Sequence, residues 1–140
     1  MTRRPLVAAV TFGSVDGIGL AIGICLVLHG KAAAVLIAAA AANAAAELAG
    51  MASGQWLSTP GEALRVPRSL ANGAGAFLGA LAPVLALALA GPWAAIVVLV
   101  GMALLIAHAM PSEPYWRSYL DTGVTLALVI AVCAVAALVV

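Results

Sequence analysis

Two carboxylates stand where an apolar chain has least use for them. Asp16 lies within "FGSVDGIGLAIGI", Phe12 to Ile24, and no basic residue occurs within ten positions on either side of it. Glu47 lies in the alanine-rich run that follows. Around Glu47, the residues Asn43, Glu47, Met51 and Gln55 recur at every fourth position, which places them along one slowly drifting stripe of a helix. Carboxylate and amide oxygens alone suit Mg²⁺ or Ca²⁺, and an added thioether shifts the preference toward softer first-row ions such as Fe²⁺. Two cysteines and two distant histidines supply no zinc spacing. Each residue also has a plainer use: Asp16 and Glu47 as a paired packing contact, Asn43 and Gln55 as bridges between helices, Met51 as a gap-filler.

The elements that must position these groups follow from composition. Of 140 residues, 66% are hydrophobic and 8% charged, against roughly 25% charged in a soluble domain. The apolar runs reach the ~20 residues needed to cross a ~30 Å hydrocarbon core, so the expected fold is an all-α polytopic membrane protein. Five spans are expected, at about 6–28, 33–57, 69–90, 93–110 and 119–140, forming one transmembrane domain over residues 1–140 with no soluble domain. "STPGEALRVPR", Ser58 to Arg68, is the longest connection, with Glu62 to Val66 able to form a short surface helix. Pro83 falls inside span three, where it frees a carbonyl and kinks the helix. Asp16 interrupts the first apolar run and no convincing cleavage site follows it, so "MTRRPLVAAV" reads as the start of a retained span and not as a signal peptide.

With the N-terminus in the cytoplasm, Arg3, Arg4, Arg65, Arg68 and Arg117 all fall on that side and only Lys31 falls outside. That asymmetry implies an N-in, C-out chain. Trp56, Trp93, Tyr115, Trp116 and Tyr119 fall at span ends, where amphipathic rings prefer to sit. Asp16 is ten residues from the cytoplasmic start of span one and Glu47 ten before the cytoplasmic end of span two, which puts each ~15 Å deep by helical rise. The two carboxylates are expected to meet near the midplane, where an ionisable group costs at least ~2.5 kcal/mol and reads as functional.

Other features carry less. Gly13 and Gly17, and again Gly19 and Gly23, give GxxxG spacings in span one, and Gly50 and Gly54 lie beside the stripe of span two; all suit close helix approach. Cys25 and Cys133 lie inside apolar runs, as small hydrophobes do. His108, Met110 and Glu113, with Asp121, suit an entry vestibule or simply a solvated interface. A formal charge of +1 points to no nucleic acid, and hydrolase, phosphate-loop and deaminase signatures are absent, so no enzyme activity is expected.

"FGSVDGIGLAIGI" followed by "AGMASGQWLS", Ala49 to Ser58, resembles the vacuolar iron transporter family of five-span proteins, in which a first-span Asp-Gly pair precedes a second span ending in Ser-Met-x-x-Gly-Glu-Tyr-type sequence. "GALAPVLALAL", Gly79 to Leu89, looks like that family's third span, and the resemblance covers essentially all five spans. The resemblance implies that Asp16 and Met51 correspond to the family's transport-path aspartate and methionine. It also implies a dimer with the ion route near the subunit interface, and metal export coupled to inward proton movement. Three departures stand out: the long Glu-rich cytoplasmic helical domain between spans two and three is replaced by Ser58 to Arg68, Asn43 stands where some members have glutamate, and Gly54, Gln55 and Trp56 stand where many have Gly-Glu-Tyr.

The expected function is therefore export of Fe²⁺ or Mn²⁺ from the cytoplasm by proton antiport. The homodimer would lie in a bacterial inner membrane, with the metal as substrate and no resident cofactor. Asp16, Glu47 and Met51 would contact the metal; Asn43 and Gln55 would complete the path; Gly13, Gly17, Gly50, Gly54 and Pro83 would shape the packing. The alternatives are a scaffold or sensor that retains the bundle without transport, and a carrier of protons alone or of another cation.

Overall fold

Peptide groups inside a bilayer find no water to bond, so each crossing segment must satisfy its own backbone, and a helix does this locally. The computed structural model describes residues 3–110 and 116–138, and every regular element among them is an α-helix. These are α1 (Arg3–Val27), α2 (Ala33–Ser58), α3 (Arg65–Ala90), α4 (Pro92–Ala109) and α5 (Trp116–Ala137). Each is long and apolar enough to cross a membrane. Glu113 and Tyr115, and the last two residues of the expected fifth span, lie outside the described residues.

Three helices begin about a turn earlier than the hydropathy suggests, among them α1, at Arg3 and not Leu6. α3 starts at Arg65, one turn before Ser69, because Pro67 falls in its first turn, where a missing N–H removes no helical bond. The amides of Arg65 and Arg68 bond the carbonyls of Glu62 and Leu64, so the charged segment runs directly into the helix. α5 starts at Trp116 instead of Tyr119. At the other end of α3, Gly91 alone makes the link to α4: its φ of 88° is open to glycine, its N–H caps the Leu87 carbonyl, and Pro92 starts the next helix.

α3 is the hub. α1 and α2 both pack along it and touch one another little, while α4 lies on α3 and α5, and α5 closes against α1. Between α1 and α3 the contact is backbone on backbone. A methyl group added at Gly13 would collide with the Asn72 carbonyl, and one at Gly17 with the Ala76 carbonyl. From the other side, Gly75 has no room beside the Val10 carbonyl, nor Gly79 beside that of Ser14. Lipid tails are as apolar as leucine, so helices in a bilayer associate through close packing and not through hydrophobic burial, and glycine permits the closest packing.

α2 meets α3 in the same manner at one point, where Gly73 sits 2.6 Å from the Leu48 carbonyl by its would-be Cβ and 3.0 Å from Ala52. Gly50 and Gly54, in contrast, have nothing within 4 Å, so no other helix among the described residues presses against them. Ala21, Ile24, Leu36, Ala40 and Val84 form an apolar core at the end of the bundle that holds the α1–α2 turn. The fully buried Pro83 lies beside that core, and α3 continues through it.

This packing separates the glycines by consequence. Gly17→Ala or Gly79→Ala should each destabilise the folded chain by about 1–3 kcal/mol, the range for overpacking, because carbonyls cannot give way as a flexible side chain can. Gly50→Ala should leave the stability of the single folded chain unchanged. Thermal unfolding in detergent checks this, and equal effects at all three positions would contradict the described contact.

Candidate functional site

Asp16 precedes Gly17 by one residue, so when Gly17 is pressed against α3 the Asp16 side chain is turned off that contact, toward the seam between α1, α2 and α5. Glu47 points into the same seam from α2, and the two carboxyl groups lie within hydrogen-bonding reach of each other. Carboxylate oxygens only accept, so two facing carboxyls can hydrogen-bond only when one of them carries a proton. The pair lines an open cavity of about 430 Å³ with Gly19, Leu20, Leu128, Val129, Val132 and Cys133. Asp16 is exposed and Glu47 half-buried.

The remaining stripe residues divide. Asn43 is half-buried and turns its amide Nδ2 back to the Ala39 carbonyl of its own helix at 2.8 Å. Met51 is half-buried, and its backbone carbonyl accepts from Asn72 Nδ2 of α3 at 3.2 Å. Gln55 lies further along, lining a second cavity of about 560 Å³ with Thr11, Phe12, Arg68 and Met110 at the end of the bundle that holds the α2–α3 connection. The structure thus brings Asp16 and Glu47 together, puts Met51 one turn away, and gives Gln55 to a separate cavity. Among the described residues no three of the His, Cys, Asp and Glu side chains gather closely enough to hold a metal ion, so the carboxylate pair is the only acidic donor set facing this seam.

The α2–α3 connection is tied down. Arg65 lies over the Trp56 ring at 3.8 Å and donates from Nε to the Trp56 carbonyl at 2.6 Å. Thr59 Oγ1 donates to the Gln55 carbonyl at 2.7 Å, and Arg68 pairs with Glu62. These bonds satisfy carbonyls that the end of α2 would otherwise leave free. At the same end, His108 is exposed on the last turn of α4, and Asp121 faces Arg117 across one turn of α5 at 4.0 Å, an exposed pair of small energetic weight.

Three residues matter here that the sequence does not single out. Asn72 is 3% exposed and joins α3 to α2. Its signal is an amide within a Gly-rich stretch, Asn72, Gly73, Gly75, of an apolar run. Arg68, expected only as a topology-setting charge, lines the second cavity. Cys133 lines the carboxylate cavity, with Sγ 4.0 Å from the Gly19 carbonyl, and only the rotation of α5 decides that.

A carboxyl facing a second carboxyl within an apolar seam has a chemical consequence. A membrane-permeant carbodiimide, which attacks protonated carboxyls, should modify Asp16 or Glu47 and leave the solvated Glu62 and Asp121 untouched, as read by mass spectrometry of peptides. Labelling confined to Glu62 or Asp121 would contradict the pair. Comparison with protein-family models, with curated proteins and with solved structures finds no match for this chain.

Proposed function

We propose that this chain is a metal transporter that exports Fe²⁺ or Mn²⁺ from the cytoplasm in exchange for protons. The observation that carries the reading is the Asp16–Glu47 pair: two acidic side chains from two membrane-spanning helices face one another in a cavity within the seam. A divalent ion binding between them would compete with protons for the same oxygens, and reprotonation from the far side would release it. The exchange follows from one site with two competing occupants. Met51, one turn nearer the α2–α3 end, would add a soft donor, and the resemblance of its surroundings to the vacuolar iron transporter family supports the assignment.

Orientation and assembly belong to the same reading. The five arginines named above favour an N-in, C-out chain, which makes the Gln55 cavity the cytoplasmic one. Asp16 is exposed in the single chain at a depth where a carboxylate is costly to leave against lipid. A second copy covering that seam would relieve the cost, and the open edge at Gly50 and Gly54 leaves room for it. Five membrane-length helices with short connections suit a bacterial inner membrane.

One observation favours a second reading, a membrane scaffold or sensor without transport. The connection between α2 and α3 is a short, bonded turn, Thr59 to Leu64, with no metal-gathering domain. The two readings part on metal binding. For a transporter, Mn²⁺ should raise the thermal unfolding temperature of the purified protein, and Asp16→Asn or Met51→Ala should remove at least most of the shift. A folded wild-type protein insensitive to both Mn²⁺ and Fe²⁺ would favour the scaffold.

A further inference from the structure

The pair at Asp16 and Glu47 must be reached, and the structure holds an unexplained polar edge on the way to it. Among the described residues two buried side-chain polar atoms lack a hydrogen-bond partner: Nε of Arg68 and Oδ1 of Asn72. They stand one helical turn apart on the same face of α3, one a donor and the other an acceptor. Arg68 lines the cytoplasmic cavity, where Glu62 engages its Nη1 and offsets its charge. Asn72 is held by its own donor: because the Met51 carbonyl can only accept, Nδ2 must face it, and the free atom is the oxygen.

The level of Asn72 is set by its neighbours. Its backbone lies against Gly13 of α1, and its side chain meets Met51 of α2. Thr11 and Gln55 lie on the cavity side of that level, whereas Asp16 and Glu47 lie beyond it. Helix glue between α2 and α3 accounts for Nδ2. It leaves Oδ1 without a purpose, at a site where leucine would fill similar volume and leave no acceptor unpaired.

We propose that Arg68 and Asn72 line a hydrated neck joining the cytoplasmic cavity to the carboxylate pair, with Asn72 at its narrow level, so that a cation enters with part of its water shell. This deepens the transport reading and rests on it for the identity of the cation. The physical claim, that water reaches Asn72, stands apart from cargo.

The test uses the full-length protein in inverted membrane vesicles, in a Cys25→Ala, Cys133→Ala background. Asn72→Cys is treated with a small cationic methanethiosulfonate, beside Gln55→Cys in the cavity and Ala76→Cys, which is fully buried. Position 72 should react within about tenfold of position 55, and much faster than position 76. A rate no faster than that at position 76 overturns the neck, even where wild-type protein carries Mn²⁺. In a second arm, Asn72→Leu should lower Mn²⁺ flux at least tenfold while the Mn²⁺-induced thermal shift survives; flux within twofold of wild type overturns the role of Asn72. Should position 72 react while wild type carries no Mn²⁺, the neck stands and the metal assignment falls.

Discussion

The contact of α1 with α3 through glycine governs what the rest of the bundle can do. With carbonyls lying where side chains would be, neither helix can rotate or slide without collision, and their register is held by shape alone. That register turns Asp16 away from α3 and toward the α1–α2 seam, and it sets Asn72 against Gly13. The carboxylate is thus aimed by its neighbours Gly13 and Gly17, which do not line its cavity.

Around that frame the chain sorts its polar groups by position. The end of the bundle that holds the α1–α2 turn is filled with Ala21, Ile24, Leu36, Ala40 and Val84. Polar side chains gather from the middle toward the other end: Asp16 and Glu47, then Asn72, then Gln55 and Arg68. The outward faces differ as well. α4 and α5 present Val97, Leu105, Val124 and Val135 to their surroundings, as lipid-facing helices do, whereas α2 presents alanine, glycine and serine beside its stripe. Large side chains suit lipid, and small ones suit another helix.

Much of this was legible in the sequence, and the reasons are physical. Hydrophobic length alone marks five helices, because the bilayer sets a minimum span that soluble cores do not. Counting helical rise from each membrane face puts Asp16 and Glu47 at one depth, and the structure brings them together. What stayed hidden were partners across the fold. Small residues pack by shape, and shape has no periodicity, so nothing in the chain said that Gly13 and Gly17 would meet Asn72 and Ala76, that Gly75 and Gly79 would meet Val10 and Ser14, or that Gly50 and Gly54 would meet no other helix among the described residues. Arg68 read as a topological charge until the start of α3 at Arg65 carried it into the bundle. Cys133 needed the rotation of α5, which its uniformly apolar sequence does not encode.

The central claim is that a divalent metal and a proton compete for the Asp16–Glu47 pair. It is tested most directly by Fe²⁺ and Mn²⁺ flux into proteoliposomes under an imposed pH gradient, comparing wild type with Asp16→Asn. Flux that follows the gradient in wild type and is lost in the variant is the predicted result. Folded wild-type protein with no flux above empty liposomes, or the same gradient-driven flux in Asp16→Asn, would contradict it.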